Sequence, residues 1–172
     1  TLSLTNSTVS GNTGDSLGGG IYNYSGTVTL TNSSISGNSA KWGGGISNWG
    51  ALTLINSTIS GNNASNTGGG IYNGGTLTIT NSTISGNTAS GVGGGIIAEE
   101  SSTVNLANAL IAGNTASIRP DCRGVLTSLG HNLIGDTTVC SFTPATGDLV
   151  NVDPMLGLLQ DNGGPTLTHA IL

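Results

Sequence analysis

The chain has almost no charge. Its 172 residues include three Lys or Arg and eight Asp or Glu, and between Thr1 and Ala98 only Asp15 and Lys41 are ionisable at neutral pH. Three basic residues against a net charge of −5 leave no footprint for nucleic acid or anionic lipid, which need clustered Lys and Arg. No apolar run approaches the roughly 18–20 residues of a membrane span, so membrane insertion is not expected. The opening "TLSLTNS" lacks the charged start and apolar stretch of an export signal, and the chain reads as a mature fragment or a piece of a longer protein. Cysteine is limited to Cys122 and Cys140. A disulfide between them would staple a segment with little regular structure and fit an oxidising, extracellular setting; two unpaired buried thiols are the alternative.

Thr, Ser, Asn and Gly fill the space that charge leaves. Thirty glycines in such a chain could mark disorder, but disorder goes with high charge and few β-branched residues, and here Thr, Ile and Val recur regularly. The recurrence is a repeat: "TLSLTNSTVSGN" (1–12), "TVTLTNSSISGN" (27–38), "ALTLINSTISGN" (51–62) and "TLTITNSTISGN" (76–87), with a degenerate fifth, "TVNLANALIAGN" (103–114). The first four are each followed by a "GGGI" unit, at 18–21, 43–46, 68–71 and 93–96.

A period of about 24–27 residues means a solenoid. In the "TLTLT" segments apolar residues alternate with Thr, which places Leu2, Leu4, Val28, Leu30, Leu52, Leu54, Leu77, Ile79, Val104 and Leu106 inward. Val9, Ile35, Ile59, Ile84 and Ile111 supply a second apolar column, and Ile21, Ile46, Ile71 and Ile96 a third. The expected fold is an all-β parallel β-helix with three short strands and a variable loop per coil. Residues 1–115 form regular coils and 116–172 irregular C-terminal coils of one continuous domain. A leucine-rich repeat fits less well, because its Asn falls one position later and the return path here is poor in helix formers. Two columns of Asn mark the bends. Asn6, Asn32, Asn56, Asn81 and Asn108 fall at the first, and Asn12, Asn38, Asn62, Asn87 and Asn114 at the second; stacked amides there can bond from coil to coil. In this reading the Thr and Ser of "NSTISGN" face water.

The "GGGIYN…TLTITNSTISGN" unit resembles the right-handed parallel β-helix repeats of bacterial surface and secreted proteins, including those of polymorphic outer membrane proteins. The tail, "GHNLIGD" (130–136) and "NVDPMLGLLQDNGGPTLTHAIL" (151–172), is similar to the closing segment of large secreted β-helix proteins. The resemblance implies right-handed coils, an exported protein at the cell surface or outside the cell, and uncapped coils able to stack end to end or on another surface protein. It implies no particular activity, since this scaffold carries adhesins, lyases and other functions.

Chemistry is sparse. β-Helix lyases and glycosidases need clustered carboxylates, with a base for the lyases. The regular rungs offer Asp15 and Lys41 in different loops, and Glu99 and Glu100 read as a solvated pair. Asp121, Asp136, Asp148, Asp153 and Asp161 show no metal-ligand spacing, and His131 and His169 no triad or zinc pattern. No catalytic residue, metal or cofactor is assigned, and the expectation is a non-enzymatic structural or adhesive segment. Two surfaces are candidates for contact. One is an outward Thr array, Thr27, Thr29, Thr31, Thr53, Thr76, Thr78 and Thr80, flat enough to suit ice. The other is aromatic, Tyr22, Tyr24, Trp42, Trp49 and Tyr72, suited to stacking on a glycan.

Overall fold

Alternation of Thr with Leu, Ile or Val builds the first strand of each coil: Leu2–Thr5, Thr27–Thr31, Ala51–Ile55, Thr76–Thr80 and Thr103–Ala107. In the computed structural model, which describes residues 1–172, these strands stack in parallel as sheet I, with Leu4, Leu30, Leu54, Ile79 and Leu106 in register. The three-residue strands Thr8–Ser10, Ser34–Ser36, Thr58–Ser60, Thr83–Ser85 and Leu110–Ala112 stack as sheet II. Ile21–Asn23, Ile46–Asn48, Ile71–Asn73 and Ile96–Ala98 close each coil as sheet IV. The fold is a right-handed parallel β-helix, its coils offset by 24 to 27 residues.

Between sheets II and IV the structure adds a fourth strand to the three expected. Ser39–Trp42, Asn63–Thr67, Thr88–Val92 and Thr115–Ile118 pair in parallel as sheet III, where the sequence reads as variable loop. These segments share no alternating apolar pattern, and the first three each turn one small side chain, Ala40, Ala64 or Ala89, into the core. Their strand conformation comes from the coils above and below, not from local propensity.

The core is a thin column. Twenty-one buried residues form one cluster, with Leu30, Ile35, Ile46, Leu54, Ile59, Ile71, Ile79, Ile84 and Ile96 fully enclosed. Asn6, Asn32, Asn56, Asn81 and Asn108 take φ of 48–50°, the left-handed conformation that Asn tolerates best among residues with a side chain. The second bend differs from expectation. Its left-handed residue is the Gly of "SGN", such as Gly61 at φ 64°, and the following Asn is thereby free to point inward. The triple glycine answers to close approach as well: a Cβ on Gly44 would lie 2.4 Å from the Asn63 carbonyl oxygen.

Ladders of polar side chains run along the axis. Asn32, Asn56, Asn81 and Asn108 each donate Nδ2–H to the Oδ1 of the Asn one coil back, at 3.0–3.2 Å, on the exposed first bend. Inside the second bend, Asn12, Asn38, Asn62 and Asn87 donate both backbone N–H and Nδ2–H to the next coil's Oδ1, at 2.9–3.0 Å. A third ladder, missed in the sequence, links buried Asn23, Asn48 and Asn73 at 2.6 and 2.7 Å. The first Ser of the motif does not face water. Ser33, Ser57 and Ser82 are buried and accept the N–H of Ser7, Ser33 and Ser57 in turn, while the Ser57 hydroxyl donates to the Ile55 carbonyl. A backbone N–H just past a left-handed bend lacks a strand partner, and a short hydroxyl reaches it.

After Ile118 the coils change. Strand Cys122–Ser128 continues sheet IV at its start, beside Ile96, and sheet I at its end, beside Leu106. Cys140–Thr143 extends sheet I, Leu133–Ile134 and Leu149–Val150 extend sheet II, and a disulfide joins Cys122 to Cys140. The last residues form an antiparallel hairpin, Leu156–Gln160 with Thr168–Ile171, laid against the outside of sheet II.

Candidate functional site

Two surfaces follow from the outward halves of the strand alternation. On sheet I, Ser3, Thr29, Thr53, Thr78, Asn105, Thr127 and Thr143 stand in successive register as a central file across seven strands. Thr27, Ala51, Thr76 and Thr103 flank it on one side, and Thr31, Ile55, Thr80 and Ala107 on the other. All seven candidate Thr residues share this face and are at least partly exposed. Strands stack about 4.8 Å apart and alternate residues lie about 6.5–7 Å apart, so the face is a flat grid of hydroxyls and methyls without an ionisable group.

The aromatic residues divide. Tyr22, Ser47, Tyr72, Ile97 and Arg123 stand in one register file on sheet IV, of which Ser47 and Ile97 are fully buried. Tyr24 and Trp49 lie at the corner that leads back to sheet I. Tyr22 and Tyr24 ring centroids are 6.3 Å apart, and those of Trp49 and Tyr72 5.8 Å. Gly74 makes room for the second pair: a Cβ there would lie 2.5 Å from the Trp49 ring. Trp42 is not part of this group. It precedes the triple glycine, ends a strand of sheet III beside Thr67, and carries Lys41 Nζ 4.4 Å from its ring centroid.

Charge gathers just beyond Tyr72. The Tyr72 pKa is pushed up to about 12, chiefly by burial and further by the neighbouring Glu99 carboxylate. Glu99 is half-buried at the wall of a cleft of about 270 Å³, whose lining also includes Glu100, Arg119, Arg123, Val125 and Ser141. Both glutamates and both arginines of the chain therefore meet here. From sequence alone the adjacent glutamates read as a solvated pair, and neither arginine carries a local signal. The signal is one of register: the fifth coil's "RPDC" occupies the place of "GGGI", and the N–H of Gly95 bonds to the Pro120 carbonyl as that of Gly70 bonds to Gly94.

The remaining titratable groups hold structure. Asp121 is buried and ends the inner Asn ladder; burial raises its pKa, and the bonds from Asn114 offset part of the rise. Asp148 plays the same part for the Ser column, accepting from Asn132 and Ser128. Burial works to raise its pKa, but those bonds and the Ala145 N–H outweigh it and hold the carboxyl low. The Thr138 side chain and backbone N–H likewise lower Asp136. His169 fastens the hairpin, with Nδ1 2.8 Å from the Gly157 carbonyl and Nε2 2.8 Å from Ser60 Oγ. No group of three His, Cys, Asp or Glu is placed to hold a metal ion. Comparison of the chain with protein-family models, curated proteins and solved structures gives no match in any of the three.

Proposed function

We propose that the chain is a non-catalytic stretch of an exported, surface-exposed β-helix whose role is adhesive, with the flat outer face of sheet I as its contact surface. The observation that supports this is the division of labour among polar side chains. Most of those inside, the Ser34 and Ser47 hydroxyls excepted, are consumed in ladders that hold one coil to the next, whereas a Thr-rich file repeats outward, in register, across seven strands. A regular grid of uncharged hydroxyls and methyls suits a partner that is itself extended and regular, such as a polymer surface, ice or a second solenoid. Stacking of copies through the edges of the first and last strands of sheet I is the form of self-association that fits it.

Binding to immobilised cell-wall polymers and to ice, measured for the wild type and for Thr53→Lys with Thr78→Lys, tests the reading. Two lysines in the central file are expected to abolish contact while the melting temperature stays within about 2 °C, because surface substitutions cost little. Unchanged adhesion by the double variant would move the contact surface elsewhere; ice recrystallisation inhibition lost in the same variant would name the partner.

A further inference from the structure

The fifth coil carries Arg119, Pro120 and Asp121 where the other four carry the triple glycine. Gly18, Gly43, Gly68 and Gly93 open the triple glycine with φ of 63–69°, and Arg119 takes the same position and the same conformation, φ 59°. A long side chain in left-handed backbone is strained, and such strain is kept where the side chain is needed. Asp121, two residues on, is needed to end the Asn ladder and Cys122 to form the disulfide. Arg119 does nothing of this kind. Its Nε is buried with no hydrogen-bond partner, and it lines the cleft that Arg123 also lines.

The cleft exists because the corner of the fourth coil is long. Where the third coil turns from Asn73 to Thr76 through two glycines, the fourth runs from Ala98 to Thr103 through Glu99, Glu100, Ser101 and Ser102. Glu99 is half-buried beside Tyr72, and Glu100 is exposed at the rim. The charged donors that line the cleft are the two guanidinium groups, which bind planar carboxylates by paired N–H bonds. Directly along the corner, through Glu99, lies the Trp49–Tyr72 pair, Trp49 44% exposed. Aromatic faces beside a carboxylate site suit a sugar chain whose rings stack and whose acid group anchors.

We propose that this cleft binds a uronate-bearing glycan lying along the solenoid axis, Arg119 and Arg123 holding a sugar carboxylate and Trp49 and Tyr72 stacking on the neighbouring rings. The site is separate from the sheet I face and does not depend on the adhesive role assigned to it.

Isothermal titration of the 172-residue chain with mannuronate, guluronate and glucuronate tetrasaccharides, with a neutral mannose tetrasaccharide as control, tests the site. At least one uronate is expected to bind about tenfold or more tighter than the neutral chain, and to weaken as salt is raised. Arg119→Gly restores the residue of the other four coils, so it should fold at least as stably as wild type yet lose about tenfold in uronate affinity. Arg123→Gln and Trp49→Ala should weaken binding too. The proposal is overturned if no uronate binds, if neutral and acidic chains bind alike, if acetate binds as well as the tetrasaccharide, or if Arg119→Gly binds as wild type. None of these outcomes touches the Thr53 and Thr78 experiment, so the two readings fail separately.

Discussion

Asn114 gives both its backbone N–H and its side-chain amide to one carboxylate oxygen of Asp121, at 3.0 and 2.9 Å. Every earlier rung makes the same pair of bonds to another Asn, so the ladder passes amide to amide until it meets a group that only accepts. A terminal Asn would bring two more N–H donors and need a further coil to receive them. An ionised Asp needs none, and this is the physical reason for an acid in an interior otherwise free of charge.

The end group makes the chain's response to acid specific. Burial raises the Asp121 pKa above its unfolded value, so the folded state binds the proton more readily and Asp121 adds stability as pH falls through that window. Asp136 and Asp148 act in the other sense: their folded pKa values are lowered, and the stability they give above the unfolded value, 3.8, is lost as pH falls below it. Asp121→Asn removes the opposing contribution. Melting temperatures measured from pH 6 to pH 3 should therefore fall more steeply for Asp121→Asn than for wild type, and more gently for Asp148→Asn.

The two bends should respond differently to the same substitution. Asn62 is buried and accepts two N–H bonds from Asn38 while donating to Asn87 and the Ile35 carbonyl. Asn62→Ala strands those groups and should cost about 2–4 kcal/mol in urea unfolding, the range for orphaning more than one buried polar group. Asn56 is exposed at φ 48°, so Asn56→Ala should cost about 1 kcal/mol, mainly backbone strain, and Asn56→Gly less than half of that.

The contrast shows where the sequence was legible. Period-two alternation identified the inward Leu and Ile of sheet I, and the first Asn column fell on its bend, because both are local signals repeated in every coil. Sheet III was not legible: Asn63–Thr67 has no strand pattern, and only stacking on Ser39–Trp42 and Thr88–Val92 makes it one. Ser57 was given to water because its alternation phase is broken by the left-handed Asn56 before it. Arg119 was passed over because "RPDC" resembles "GGGI" in place and not in residues. The docking of the hairpin on sheet II joins residues 109 positions apart, which no local pattern carries.

That docking hangs on few contacts. His169 bridges the Gly157 carbonyl within the hairpin and Ser60 on sheet II, above a cleft of about 390 Å³ that Ser85, Ala112 and Leu156 also line. His169→Ala removes both bonds at once. Hydrogen exchange should then rise tenfold or more for amides of 156–171, while amides of Ile59 and Ile84 stay protected, because local opening costs only the local contacts. Equal loss of protection in sheet II would mean that the hairpin holds the coils and does not merely cover them.

Tyr72 offers a reading of the corner that needs no ligand. Its folded pKa of about 12 exceeds the unfolded value of 10.0, with burial the larger cause and the neighbouring Glu99 carboxylate the next. A raised folded value gives stability that is complete below pH 10 and is lost as pH rises toward 12. Absorbance titration of phenolate should show a late tyrosine step in wild type that Tyr72→Phe removes. Glu99→Gln removes the charge, so the late step should move down yet stay above 10, the part that burial supplies. A late step unmoved by Glu99→Gln would place the Glu99 carboxylate away from Tyr72.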